Sequence, residues 1–323
     1  MGEAAPCALK PGCCVYVPTG GSLPEGADSV VMKEYTEDYG DGTIGILKSS
    51  SPGMNIIYRG DDVYPGKVVL QKGRKLTVPD IGALAAMGII SVSARKRLSA
   101  GIISTGDELV PIDTVPAAGQ IRDVNTALLA SFCTDAGVTS YCYGIHPDDP
   151  RLLSDTLEQA LRECDFVLIS GGSSVGARDA TAQIMEEHCD ILFHGLAMKP
   201  GKPTILGKAG NKAVFGLPGH PAAAFLVSRI FVRAVIAALS GFELKTQTFP
   251  AVLSEAVSAN HGRSEVCGVR LHFENGRRVA VPIHTKSGLI SSLAGSDGTF
   301  TIPRDCEGFP AGSIVEVTLY SLD

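Results

Sequence analysis

The sequence predicts an α/β protein: a central parallel-sheet domain covered by helices on both faces and flanked by two smaller β-rich domains. Three observations carry that expectation. Between about residues 97 and 242, apolar runs of strand length alternate with helical patterns, which is how a parallel sheet with crossover helices is written. Short β-like runs separated by Gly, Pro and Asp turns occupy residues 11 to 70. From about residue 247 the helical patterns stop and alternation takes over. The expected division is a β-rich domain over 1–62, a linking and helical segment over 63–96, an α/β domain over 97–242 and a C-terminal β domain over 243–323.

From the amino end, Cys14 to Val17, Ser29 to Met32, Thr43 to Leu47 and Val68 to Leu70 read as strands, with Tyr39-Gly40-Asp41-Gly42 as a turn. Asp80 to Met87 has helical periodicity closed by Gly88, a C-terminal cap. The α/β strands are expected at Leu98 to Ser104, Val138 to Tyr143, Phe166 to Ser170 and Ala213 to Leu217. The intervening helices are expected at Val124 to Ala136, Leu152 to Glu163, Thr181 to His188 and Pro221 to Leu239. In the last domain Asn275-Gly276 is a hairpin signal, and Val279 to Pro282, Gly298 to Ile302 and Ile314 to Leu319 complete the strands.

Composition narrows the function classes. A chain of 323 residues with 45% apolar and 19% charged content can bury a sizeable core. A formal net charge of -6 without a basic run disfavours nucleic acid as partner. Met1 to Lys10 lacks the pattern of a signal peptide. Ala222 to Leu239 approaches spanning length, but Arg229 and Arg233 share one helical face, which suits a buried helix with one wet edge. No membrane association and a cytoplasmic location are expected. The nine cysteines form no Cys-x-x-Cys pair, and Cys133, Cys142 and Cys164 read as small buried hydrophobes.

The candidate chemistry lies in loops that follow strands. Ser170-Gly171-Gly172-Ser173-Ser174-Val175-Gly176 sits between an apolar strand and a helix start, where glycine lets backbone N–H groups converge on an anion. Gly216-Leu217-Pro218-Gly219-His220-Pro221 repeats that arrangement, with His220 either an acid–base group or a cap. Lys199-Pro200-Gly201-Lys202 brackets a rigid turn with two cations, suited to an oxyanion or phosphate; a solvated surface turn is the lesser reading, because the neighbouring runs are strongly apolar. Carboxylates accumulate beside these loops: Asp61, Asp62, Asp107, Glu108, Asp123, Asp148, Asp149 and Asp179. Near an anion they would repel it unless they hold a divalent cation, and Mg²⁺ typically takes one or two carboxylates plus substrate phosphates. Asp107, Asp123 and Asp179 are equally suited to capping helices or closing turns. Val17 to Asp28, with Thr19 in its Pro-Thr-Gly-Gly turn, reads by itself as a structural connection.

Taken together, these motifs resemble the molybdopterin molybdenumtransferases, the MoeA-type enzymes also represented by the E domain of gephyrin. The matching segments are Pro18 to Asp28, Arg59 to Val63, Ser104 to Leu109, Gly119 to Asn125, Ser170 to Gly176, Lys199 to Pro203 and Gly216 to Pro221, in family order. The resemblance implies insertion of molybdate into adenylylated molybdopterin with Mg²⁺-dependent release of AMP. It implies catalytic roles for Asp62, Glu108, Asp148, Asp179 and Lys199, with Glu108 and Asp179 as metal ligands. Ligand contacts are implied at Thr19, Gly171, Gly172, Ser174, Gly176, Lys202, Pro218, Gly219 and Pro221. It further implies a homodimer and contact with the molybdopterin adenylyltransferase. The family's amino-terminal Asp-x-Ser-x-Met-Asp-Gly-Tyr-Ala motif is not in this sequence, so the β-rich domain is expected to start partway through. Gly195 stands where the family often has a basic residue, and His220 where it usually has asparagine. Two other readings remain open, a molybdopterin adenylyltransferase and a non-catalytic pterin-binding or scaffold module. Residues 247 to 323 and the Ser170 to Gly176 loop argue against the first.

Overall fold

The computed structural model describes residues 8–171, 180–244, 246–283 and 290–320. These fall into two compact units, residues 8–72 with 78–87, and residues 73–77 with 88–320.

The first unit carries little regular structure. Strands β1 (Thr36–Asp38) and β2 (Ile44–Ile46) form an antiparallel hairpin, and helix α1 (Val78–Ala86) presents Leu84 as its buried apolar residue. The hairpin turn is built by aspartates. The Asp38 carboxylate accepts from the Gly40 N–H at 2.9 Å, and Asp41 accepts from both the N–H and hydroxyl of Thr43, which lowers the Asp41 pKa. The strands expected at Cys14 to Val17, Ser29 to Met32 and Val68 to Leu70 do not form. Among the described residues their apolar side chains find no full second layer: Tyr16 is 79% and Val68 71% exposed. A β pattern with nothing to pack against gains little from pairing. Gly88 closes α1 as expected, with φ 72°.

The second unit is built on a six-stranded sheet. Its strands are β3 (Ser99–Thr105), β6 (Thr139–His146), β7 (Phe166–Ser170), β8 (Asp190–His194), β10 (Ile205–Ala209) and β11 (Lys212–Leu217), in the order β6-β3-β7-β11-β10-β8. Short ladders flank it: β4 (Leu109–Val110) with β5 (Ile121–Arg122), and β9 (Met198–Lys199), which belongs to the next sheet. From β6 to β11 neighbouring strands run parallel, whereas β10 and β8 attach antiparallel. The sheet is therefore mixed at one side, because Gly210-Asn211 turns β10 directly into β11 as a hairpin.

Period-two alternation explains how this sheet is covered on both faces. Ala100, Ile102, Phe166, Leu168, Phe215 and Leu217 face one way, onto α2 (Val124–Asp135) and α5 (Pro221–Val227). Ile103, Val167, Ile169 and Val214 face the other way, onto α3 (Pro150–Glu163) and α4 (Ala180–His188). Each fully buried Leu, Ile or Phe contributes about 1.5–3 kcal/mol, so these two clusters dominate the stability of the unit. Aspartates start two of the helices: Asp123 accepts from the Thr126 N–H and Asp149 from the Arg151 N–H, the latter ahead of Pro150 at the first helical position. Asp123 is thus the cap that one of its two expected readings described.

The chain from Pro221 to Ser240 is long and apolar enough to cross a membrane and half of it is buried within the protein. It is not one continuous α-helix. A π-helical turn, Ser228–Val232, separates α5 from α6 (Arg233–Ser240). That turn carries Arg229, whose guanidinium donates to the Leu319 carbonyl at 2.8 Å and lies 5.5 Å from the Tyr320 ring centroid. Burial lowers the Arg229 pKa, and the nearby Arg233 adds to the effect.

A second sheet, in the order β15-β12-β18-β16-β14-β9, forms the C-terminal part. Its strands are β12 (Thr248–Leu253), β14 (Ser264–Glu274), β15 (Arg277–Ile283), β16 (Gly298–Ile302) and β18 (Ile314–Leu319), with a small side ladder of β13 (Val257–Ser258) and β17 (Gly308–Phe309). Asn275 and Gly276, at φ 48° and 76°, make the expected two-residue hairpin between β14 and β15. One short helix, α7 (Ile290–Ala294), interrupts what the sequence suggested was all β. Of the three cysteines expected to be buried, Cys133 and Cys164 are, but Cys142 is exposed because β6 is an edge strand.

Candidate active site

A cleft of about 1690 Å³ opens at the carboxyl ends of β3, β7 and β11, where the rules for α/β sheets place ligands. Thr105 ends β3, Ser170 and Gly171 end β7, and Pro218, Gly219 and His220 follow β11 on the way into α5. The opposite wall is the second sheet and its helix: Val257, Arg263, Glu265, Val266, Ile283, Ile290 and Leu293.

Backbone meets backbone at the base of this cleft. Gly171 has φ 134°, and a Cβ there would lie 1.9 Å from the Thr105 carbonyl oxygen. A Cβ on Gly219 would lie 3.7 Å from the Gly171 Cα. Glycine at 171 is thus required by both conformation and space, and it brings three loop ends together. Side chains then fix the spacing. The Asn125 amide donates to Ser170 Oγ at 2.6 Å and to the Gly219 carbonyl at 2.8 Å. Ser104 Oγ and Thr126 Oγ1 are 2.9 Å apart, tying β3 to the start of α2.

On the acidic side, Thr105 Oγ1 donates to Asp148 Oδ1 at 2.6 Å, and the Asp148 N–H donates to Asp107 Oδ1 at 3.2 Å. Those bonds join the loop after β3 to the loop after β6. Glu108 and Asp148 both line the cleft. Among the described residues no three His, Cys, Asp or Glu side chains are grouped to hold an ion by themselves. The donor chemistry of two separate carboxylates nevertheless fits Mg²⁺, a hard cation that completes its shell with phosphate oxygens and water.

On the basic side, β9 pairs in parallel with β14, Met198 against Ser264 and Lys199 against Glu265. The lysine loop is therefore held as an edge strand of the C-terminal sheet, and Lys199 Nζ sits 3.2 Å from Glu265 Oε1. Lys199 and Lys202 bracket the turn as the sequence suggested, but only Lys202 has no partner for its ammonium among the described residues. Thr204 closes the turn by donating to the Gly201 carbonyl at 2.7 Å. Gly195 leaves that side of the loop without a side chain, its N–H donating to the Thr204 carbonyl. Arg122 and Arg263 are further cations on the cleft. His220 is the residue before α5, and its side chain makes no capping bond.

Of the residues singled out from the sequence, the cleft gathers Glu108, Asp148, Gly171, Lys199, Lys202, Pro218, Gly219 and Pro221. Thr19 and Asp62 lie in the first unit, both exposed; the Asp62 carbonyl accepts from the Lys67 ammonium. Gly172, Ser174, Gly176 and Asp179 lie outside the described residues. The sequence marks Asn125 only as the last residue of the matching segment Gly119 to Asn125, with no role, and does not mark Glu265 or the apolar residues of the second sheet. Asn125 stands two positions after a capping aspartate at the start of a helix, and that was the available signal.

Comparison with known proteins matches three family models in sequence order. They are described as MoeA N-terminal region (domain I and II) over residues 1–88, probable molybdopterin binding domain over 101–238, and MoeA C-terminal region (domain IV) over 250–320. The molybdopterin molybdenumtransferase of Bacillus subtilis is 30% identical over 321 residues, covering 96% of this chain and 74% of the relative. That of Staphylococcus aureus is 30% identical over 312 residues, with 96% and 74% covered. A crystal structure of the molybdopterin biosynthesis MoeA protein of Pyrococcus horikoshii superposes with TM-score 0.83 at 33% identity, covering 99% of this chain and 78% of that one.

Proposed function

We infer the reaction from one premise: this chain belongs to the MoeA family, the molybdopterin molybdenumtransferases. It is an enzyme of molybdenum cofactor biosynthesis. We propose that it inserts molybdate into adenylylated molybdopterin, breaking the phosphoanhydride so that AMP leaves. The observation that carries this reading is the meeting of Thr105, Gly171 and Gly219 at the base of one cleft, with carboxylates on one side and lysines on the other.

In phosphoanhydride cleavage the oxygen of a water or of molybdate forms a new P–O bond as the anhydride P–O bond breaks and AMP leaves. Two separate anionic phosphates result, so negative charge grows where the loops converge. Lys202, whose ammonium is uncommitted among the described residues, is placed to meet an oxyanion or a terminal phosphate. Lys199 does so on exchanging its Glu265 partner for the anion. Asp148, held by Thr105 and facing the cleft, orients the nucleophile or receives its proton. Glu108, with Asp179, would hold Mg²⁺, which supplies charge neutralisation at the phosphates when bound. Gly171, Gly172, Ser174 and Gly176 would cradle the phosphate linked to the pterin, and Pro218, Gly219 and Pro221 would shape the opposite loop. Thr19 and Asp62 are assigned to the same reaction on their family positions alone. A homodimer, a contact with the adenylyltransferase that supplies the substrate, and a cytoplasmic location belong to the same proposal.

The test is AMP release from adenylylated molybdopterin with purified protein and Mg²⁺. Release that depends on molybdate is the expected result. Retention of the pterin without turnover would overturn the catalytic reading in favour of a binding module.

A further inference from the structure

We propose that Asn125 is a positioning residue for this reaction, clamping the ends of β7 and β11 at the separation the substrate's pyrophosphate requires. The inference rests on the reading above and adds a residue to which that reading gives no role.

Asn125 is the second residue of α2 and is 7% exposed. Its amide reaches residues 45 and 94 positions away in sequence, Ser170 at 2.6 Å and Gly219 at 2.8 Å. The Gly219 carbonyl can only accept, so the amide nitrogen must face it, and the orientation of the carboxamide is forced. Both N–H donors are then spent on the two loops that bound the cleft base. The amide oxygen is buried and has no partner among the described residues. A carboxamide retained only to satisfy the interior would pair at both ends, as buried polar groups do. Among the described residues, this one pairs only where it joins the loops.

The clamp is stiff on its own side. Asp123 accepts from the N–H and hydroxyl of Thr126, and Thr126 contacts Ser104, so the start of α2 is fixed to β3 as well. Gly171 leaves no freedom on the β3 side, since a Cβ there would lie 1.9 Å from the Thr105 carbonyl oxygen. A Cβ on Gly219, by contrast, would only reach ordinary contact with Gly171, so the Asn125 bonds are what hold those two loop ends together. Losing the clamp lets them part, and a misplacement near 1 Å in a reacting geometry costs about 100-fold in rate.

The experiment compares wild type with Asn125→Asp, Asn125→Ser and Ser170→Ala. It measures molybdate-dependent AMP release, AMP affinity by calorimetry, and thermal unfolding. Asn125→Asp preserves size but replaces both donors with an acceptor beside a carbonyl. The expected result is a fall in kcat of about 100-fold with KM rising no more than about tenfold. Ser170→Ala, which keeps the Gly219 bond, falls by about tenfold, and Asn125→Ser, whose short hydroxyl reaches neither loop, falls about as far as Asn125→Asp. AMP affinity weakens about fivefold in Asn125→Asp. Unchanged kcat in Asn125→Asp, or a loss that only tracks the unfolded fraction, overturns the proposal. Should wild type bind AMP without turning over, the assigned reaction fails while the clamp is still judged by AMP affinity. Equal affinity in wild type and Asn125→Asp overturns it there. Absence of both turnover and AMP binding in wild type overturns both.

Discussion

Replacing Gly171 by alanine tests the convergence of the loops at the point where it is tightest. The added Cβ would sit 1.9 Å from the Thr105 carbonyl oxygen and 2.8 Å from Thr105 Cγ2. Relief to van der Waals contact needs a shift of about 1–1.5 Å between the ends of β7 and β3. The backbone at φ 134° adds its own strain of about 1–3 kcal/mol for any residue with a side chain. Overpacking at a site with no free volume adds about 1–3 kcal/mol more. A destabilisation of about 2–6 kcal/mol in a unit of this size lowers Tm by about 5 °C or more. The displaced loop also cuts AMP release by about 100-fold, because geometry near the reacting atoms is lost. Gly210→Ala is the control: its φ is 59° and nothing lies within 4 Å of its Cβ, so it costs about 1–2 kcal/mol of stability without touching the cleft. Molybdate-dependent AMP release is the assay, read beside thermal unfolding. Wild-type turnover in folded Gly171→Ala protein would refute the claim that this contact shapes the site.

Chelation should stop AMP release and Mg²⁺ should restore it, with Glu108→Gln raising the Mg²⁺ concentration for half-maximal rate about tenfold or more. Lys199→Ala should lower turnover about 10–100-fold at limiting molybdate, while leaving Tm within about 2 °C, since an exposed ion pair contributes little to stability. An aromatic disulfide reagent should modify exposed Cys13, Cys14 and Cys142 in the native state by thiol–disulfide exchange, and reach Cys133 and Cys164 only on unfolding. Burial pushes the thiols of Cys133 and Cys267 up to about 12, with Cys142 and Glu265 adding to the respective shifts. Because the folded pKa is raised, the folded state holds these protons more tightly. Their contribution is complete below the ordinary thiol pKa of 9.0 and is lost as pH rises towards about 12. Tm should therefore fall between those values, and less steeply in Cys133→Ala.

The parts of the fold legible in the sequence were those whose elements are buried. Phe166 to Ser170 is all apolar up to its last residue and is buried throughout, so strand and boundary coincide with the pattern. Leu153, Leu157 and Ala160 gave α3 away by their helical spacing and are fully buried. Alternation misled where there was no second layer, as at Tyr16 and Val68. The antiparallel addition of β8 and β10 was missed because β8 is an edge strand of only five residues whose Leu192 is exposed. In the site, glycine loops could be recognised because backbone conformation is encoded locally. Asn125 carries a local mark, its place in the Gly119 to Asn125 segment just after a capping aspartate, but its partners lie 45 and 94 residues away and that of Glu265 lies 66 away, so their contacts are not written in local spacing.

Thr105, Gly171 and Gly219 converge to hold a single ligand in the proposed reaction, and a crystal structure of the protein soaked with AMP, tungstate and Mg²⁺ tests that directly. The expected result is the AMP phosphate against Gly171 and Gly219, with the tungstate beside Lys202. AMP density on another face of the molecule, with this cleft holding only water, would contradict it.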